Sequence, residues 1–124
     1  MKKVLIVEDD KNFLWFFRQS FENQGLEIMF AEDGEQGLAA AEKEKPDLMV
    51  IDIMLRPGGI NGIQMARQLR ENGIACKMIF LTNLKDPDHI SEALSAVGES
   101  DYIVKADVHM DAIVQRVKEK LDTL

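Results

Sequence analysis

Asp52 ends the run "DLMVID", an otherwise apolar segment that carries a carboxylate at its far end. An ionised carboxylate in an apolar interior is costly unless something pairs with it. Four other apolar runs, "KVLIVE", "LEIMFA", "CKMIFLT" and "DYIVK", supply the candidates. Counted in chain order, with "DLMVID" the third of the five, the first run ends in Glu8 and Asp9, with Asp10 next. The fourth ends in Thr82, with Asn83 next, and the fifth ends in Lys105. The second ends blandly in Ala31. Two carboxylates, a hydroxyl and an ammonium could therefore join Asp52. Such a group holds excess negative charge, and crowded carboxylates raise one another's pKa unless a cation neutralises them. A small cluster of hard oxygens suits Mg²⁺, which takes one or two carboxylates, a carbonyl and waters. A carboxylate beside that ion can act as a nucleophile towards phosphorus and form an aspartyl phosphate. The ion and Lys105 would neutralise the phosphoryl oxygens, and Thr82 could donate a hydrogen bond to one of them.

These residues meet only if the elements between them bring the ends of the runs to one edge. The runs are mostly continuous rather than alternating, as in strands buried on both faces of a parallel sheet. Helical patterns separate them. Phe13, Phe17 and Phe21 recur at four-residue spacing with Leu14 beside them. Asp33 can cap a second helix that must stop before Pro46. Asn61 can cap a third, with Ile63, Ala66 and Leu69 or Arg70 marking its faces. Asp86 and Pro87 mark the start of a fourth, with Ile90, Ala93, Leu94 and Val97 as its stripe and Gly98 as its end. Asp107 can cap the last, whose stripe is Met110, Ile113, Val114, Val117 and Leu121. Strand–helix pairs repeated in this way call for a doubly wound α/β sandwich with a parallel sheet. In such sheets ligands bind beyond the carboxyl ends of the strands, where the acids, Thr82 and Lys105 fall.

The chain's 124 residues fit one domain, 1–124, with no internal linker or repeat. A net charge of −7 gives no basic footprint for direct nucleic-acid binding. One cysteine, Cys76, cannot form an internal disulfide, which fits a cytoplasmic protein. "MKKVLIV" is too short for a signal peptide and "EDD" follows at once, and no apolar run approaches a membrane span. "GGING" is not a phosphate-binding Walker loop, because no Gly-Lys-Ser/Thr follows.

Taken together, "LIVEDD", "MVIDIML", "FLTN", "DYIVKAD" and the Asn61-Gly62 pair make the chain resemble a receiver domain of two-component response regulators. The resemblance covers nearly all of the chain. It implies a five-stranded sheet of flavodoxin-like order 2-1-3-4-5, with helices on both faces. It implies that Glu8 and Asp9 are the acidic pair, Asp9 being the direct Mg²⁺ ligand, and that Asp52 is the phospho-acceptor. Met54 would give the metal a backbone carbonyl, Thr82 and Lys105 would contact the phosphoryl group, and Tyr102 would be the switch aromatic. The implied partners are a sensor histidine kinase or phosphotransfer protein and a downstream protein or output domain. A phosphorylation-dependent dimer is also compatible with it. Phosphorylation would change the face made by the fourth helix, fifth strand and fifth helix. Such a switch catalyses its own aspartyl phosphorylation and dephosphorylation and acts on no metabolite.

Three features depart from the usual receiver pattern. The loop "RPGGI" after Asp52 is about two residues longer, Ala106 replaces a usual proline so that no cis peptide is expected there, and Asn83 replaces a smaller residue. Met54 and Leu84 lie two residues beyond the acceptor and the threonine, where both are apolar and cannot orient a water. A long-lived phosphoryl state is therefore expected. A flavodoxin-like cofactor carrier would need a phosphate-binding loop where "EDDKN" would repel one. A pseudo-receiver used only for protein binding would not need the full acid, threonine and lysine set. Asp10 is expected to cap the first helix, leaving Asp9 for the metal. His89 and His109 are expected to be solvated, Cys76 to be a small buried hydrophobe, and Trp15 or Phe16 to be exposed off the Phe13 stripe.

Overall fold

The computed structural model describes residues 1–55, 59–83, 90, 91, 94, 95, 98 and 101–122. The elements are β1 (Lys2–Val7), α1 (Lys11–Ser20), β2 (Leu26–Ala31), α2 (Gly34–Glu44), β3 (Leu48–Asp52), α3 (Gly62–Glu71), β4 (Lys77–Thr82), β5 (Tyr102–Val104), a 3-10 turn (Lys105–Asp107) and α4 (Met110–Asp122). The strands form one parallel sheet in the order β2-β1-β3-β4-β5. This is the flavodoxin-like order.

The continuous apolar runs are explained by two cores. Alternate side chains of each central strand point to opposite faces. Leu5, Val7, Met49, Ile51, Met78 and Phe80 face one core, which α2 and α3 cover with Ala41, Met65, Ala66 and Leu69. Val4, Ile6, Leu48, Val50, Ile79 and Leu81 face the other, covered by Phe17 and Phe21 from the α1 region and by Ile113, Val114 and Val117 of α4. Both faces of β1, β3 and β4 are thus buried, whereas β2, at one edge, is mostly half-buried. Each fully buried Leu, Ile or Phe contributes about 1.5–3 kcal/mol of transfer free energy.

The expected caps hold for the first three helices. Asp10 accepts from the backbone of Asn12 and Phe13, and Asp33 accepts from Gln36. Asn61 and Gln64 form a reciprocal capping box. Lys45 ends α2 in the left-handed region, just before Pro46. The last helix differs from expectation. It begins at Met110, and the Ile113 amide donates to the His109 carbonyl, so Asp107 does not occupy its N-cap. Asp107 instead closes the 3-10 turn that carries Lys105, a common way to join a strand to a helix.

Between β4 and β5, Ile90, Ser91, Leu94 and Ser95 are helical, Ile90 and Leu94 are buried, and Gly98 has φ +75°. Asp86, Pro87, His89, Ala93 and Val97 lie outside the described residues, as do residues 56–58 of the loop after Asp52, Leu84, and the Asp107 side chain. His109 is exposed and Cys76 is buried. Both Trp15 and Phe16 are exposed, stacked edge-to-face on each other. Among the described residues no peptide bond is cis and no helix is long and apolar enough to cross a membrane.

Candidate functional site

The strand order places the site. Going from β1, the chain adds β2 on one side and β3 on the other, so β1 and β3 flank the point where the winding reverses. Val7 is in register with Ile51, which sets Glu8 opposite Asp52 as both strands end. On the other side Asp52 pairs with Leu81, and Thr82 pairs with Val104, the residue before Lys105. Four strand ends therefore deliver Glu8, Asp52, Thr82 and Lys105 to one edge.

Lys105 is the centre of this group. Its Nζ donates to Glu8 Oε1 at 2.5 Å and to Asp52 Oδ2 at 3.1 Å, and its side chain is only 7% exposed. The second Glu8 oxygen accepts from the Asp10 amide at 3.2 Å, and Asp52 Oδ1 accepts from the Met54 amide at 3.0 Å. Glu8, Asp52 and Thr82 are buried. Burial, together with the hydrogen bond and charge of Asp52, pushes the Glu8 carboxyl up to about 8, although Lys105 pulls the other way. Burial also opposes the Lys105 ammonium, but its hydrogen bond to Glu8 and the charges of Asp52 and Glu8 outweigh this and raise its pKa. One ammonium thus faces two carboxylates and cannot fully satisfy both.

Asp9 stands differently. It is half-buried, and among the described residues its carboxylate has no hydrogen-bond or ion-pair partner. One oxygen each of Glu8, Asp9 and Asp52 lie within 4.8 Å of one another. A hard cation that coordinates oxygens at about 2.0–2.1 Å could draw on this set with small side-chain movements, waters completing its shell. The donor set, all oxygen and excess in negative charge, fits Mg²⁺. Asp10 points its carboxylate to the start of α1 instead.

Local sequence explains this precision. A Cβ on Gly62 would lie 2.3 Å from the Asp52 carbonyl, so only glycine lets α3 start against the end of β3. The Gly62 amide donates to the Ile53 carbonyl at 3.1 Å, which fixes that approach. The long loop after Asp52 rejoins the described chain against α2, where Glu35 accepts from the Ile60 amide at 3.1 Å. Met54 is 57% exposed at the rim. Tyr102 is half-buried against the core that contains Phe80 and Leu94.

Two contacts were not legible in the motifs. The Met54 amide bond to Asp52 is local, and the "DIM" spacing could have signalled it. The four-residue spacing of Phe13, Phe17 and Phe21 signals a helix face, but not that the Phe13 ring centroid lies 4.2 Å from Lys105 Nζ, a contact between residues far apart in the chain.

The response regulator receiver domain family matches residues 4–118. The alkaline phosphatase synthesis transcriptional regulatory protein PhoP of Bacillus subtilis is 35% identical over 104 residues, 84% of this chain and 42% of PhoP. Protein PilH of Pseudomonas aeruginosa is 30% identical over 106 residues, 85% of this chain and 86% of PilH. The chain spans about half the length of most of the curated relatives it matches. Among solved structures, the Francisella response regulator 1452 receiver domain superimposes with a TM-score of 0.86 at 30% identity, covering 98% of this chain and 97% of that one. The chain belongs to the response regulator receiver domain family, whose members serve two-component systems.

Proposed function

We propose that this chain, as a single receiver domain over residues 1–124, is a phosphorelay switch whose acceptor is Asp52. The observation that carries the reading is the Lys105 ammonium bridging Glu8 and Asp52, with the Asp9 carboxylate beside them and without a partner among the described residues. Asp9, Glu8, Asp52 and the Met54 carbonyl would hold Mg²⁺, which supplies charge neutralisation for the phosphoryl oxygens when bound. An Asp52 oxygen forms the new bond to phosphorus as the bond between phosphorus and the donor's leaving atom breaks, its electron pair departing with the donor. Lys105 moves its hydrogen bond from the carboxylate to a phosphoryl oxygen, and Thr82 donates to another. The drawing-in of Thr82 frees room for Tyr102 to turn inward, which shifts a two-state equilibrium at the neighbouring surface.

The donor is a phosphorylated histidine of a sensor kinase or phosphotransfer protein in the cytoplasm, and the reader is a downstream protein or output domain. The reaction is confined to the protein's own aspartate. Intact mass after treatment with acetyl phosphate tests this. The expected result is one Mg²⁺-dependent, hydroxylamine-labile phosphoryl group in the wild type and none in Asp52→Asn. A phosphoryl group that persists in Asp52→Asn overturns the assignment. Amide shifts on β5 that survive unchanged in Thr82→Ala would overturn the coupling to Tyr102.

A further inference from the structure

We propose that Phe13 is a positioning residue for Lys105, holding its ammonium at the site through the face of its ring. The inference rests on the reading of Asp52 as acceptor only for its consequence on rate. The contact itself stands on geometry. Lys105 Nζ lies 4.2 Å from the Phe13 ring centroid while it donates to Glu8 at 2.5 Å and to Asp52 at 3.1 Å. An ammonium carries three donors. Two are taken by carboxylates, and the electron-rich ring face receives the third side of the cation. A lysine side chain is a flexible four-carbon stem that must otherwise be held in one geometry by its head alone.

The ring is itself fixed on both sides. Asp10 accepts from the Phe13 amide at 3.2 Å, which ties the residue to the first turn of α1. Behind it, Phe17 lies at 5.4 Å between centroids with planes at 59°, and Phe17 in turn lies 6.1 Å from Phe21. Phe17 is fully buried. The stripe of three phenylalanines is thus a buttress that ends under the site lysine. A leucine at position 13 could pack on Phe17 but would offer the cation no π face. The attraction also has a broad radial range, within about 6 Å of the centroid. Lys105 can therefore pivot from the Asp52 carboxylate to a phosphoryl oxygen without losing the ring.

The test uses the whole chain with Phe13 replaced by Leu, by Tyr and by phenylalanines carrying one, two and three ring fluorines. Fluorination keeps the shape and drains the negative face, so it isolates the electrostatic contact from packing. Two readouts are taken: the initial rate of phosphorylation by acetyl phosphate with Mg²⁺, and the proton shifts of the Lys105 ε-methylene without donor. The expected outcome is a stepwise fall in rate along the fluorine series. Phe13→Leu should be about ten- to thirtyfold slower, and Tyr close to the wild type. The ε-methylene protons should lie upfield in the wild type and return to ordinary positions in Phe13→Leu. A flat fluorine series overturns the proposal, as does a Lys105 shift that Phe13→Leu leaves unchanged. Should Phe13→Leu not fold, the fluorine series still decides. Should the wild type take up no phosphoryl group, the acceptor reading fails. The ε-methylene shifts then support or overturn the ring contact by themselves.

Discussion

The two ends of the sheet solve the problem of polar groups in opposite ways. At the amino edge lies an open cleft of about 1210 Å³, bordered by Asp47, Arg70, Ile74, Cys76 and Lys77. Several of its polar groups are already engaged: Arg70 donates to the Ile74 and Cys76 carbonyls, Lys77 to the Lys120 carbonyl, and Asp47 accepts from the Lys3 amide. The carboxyl edge crowds Glu8 and Asp52 around one ammonium, with Asp9 beside them. Arg70 in the amino-edge cleft has its donors on local carbonyls, whereas at the carboxyl edge two carboxylates share one ammonium. Residual charge conflict of this kind is a mark of a candidate functional site.

The sharpest break between the two edges is expected from isosteric loss of one carboxylate. Asp52→Asn should abolish phosphoryl uptake. Asp47→Asn should leave it unchanged and cost about 1 kcal/mol of stability from its weakened hydrogen bond to Lys3. Intact mass and urea unfolding separate the two, and any loss of uptake in Asp47→Asn would erase the contrast.

A second comparison uses glycine. Gly62→Ala forces a Cβ against the Asp52 carbonyl and should cost about 2–4 kcal/mol. Gly73→Ala, at the amino edge, meets nothing within 4 Å and carries only the strain of φ +79°, about 1–2 kcal/mol. Equal urea midpoints for the two variants would show that the α3 start does not set the end of β3.

A third comparison lies within "EDD". Asp9→Ala should weaken Mg²⁺ binding by about tenfold or more, the equivalent of roughly 1.4 kcal/mol. Asp10→Ala should spare Mg²⁺ binding and cost about 1 kcal/mol of stability through the lost cap. Calorimetric Mg²⁺ titration of both variants checks this, and equal affinities would reverse the assigned roles.

The smallest signal concerns protons. The Glu8 carboxyl is raised from an ordinary 4.5 to about 8, so the metal-free folded state binds its proton more tightly than the unfolded chain does. Its contribution to stability is fully present below pH 4.5 and is lost as the pH rises through about 8. Urea unfolding in chelator between pH 5 and 9 should show this decline, and Glu8→Gln should flatten it. A wild-type profile as flat as that of Glu8→Gln would place Glu8 outside the conflict.

The sequence by itself determined the strands, because runs such as "KVLIV" and "KMIFL" have no polar face and must be buried on both sides. It determined the starts of α1, α2 and α3, because Asp10, Asp33 and Asn61 satisfy helix amides within a few residues. It also supplied the acids, Thr82 and Lys105 as a set, since strand ends in a parallel sheet share an edge. Local rules failed at Asp107, where a strand runs into a 3-10 turn before the helix, and they gave Phe13 only as one member of a helix stripe. Only the tertiary structure decided that Lys105 reaches Glu8, 97 residues away, as well as Asp52. Only it decided that Phe13 lies under that ammonium and that Gly62 closes on the Asp52 carbonyl. Caps and strand patterns are written in neighbouring residues, whereas these contacts depend on the order of β1, β3 and β5 in the sheet and on where α1 packs. That geometry is set by the two cores as a whole, so no single segment carries it.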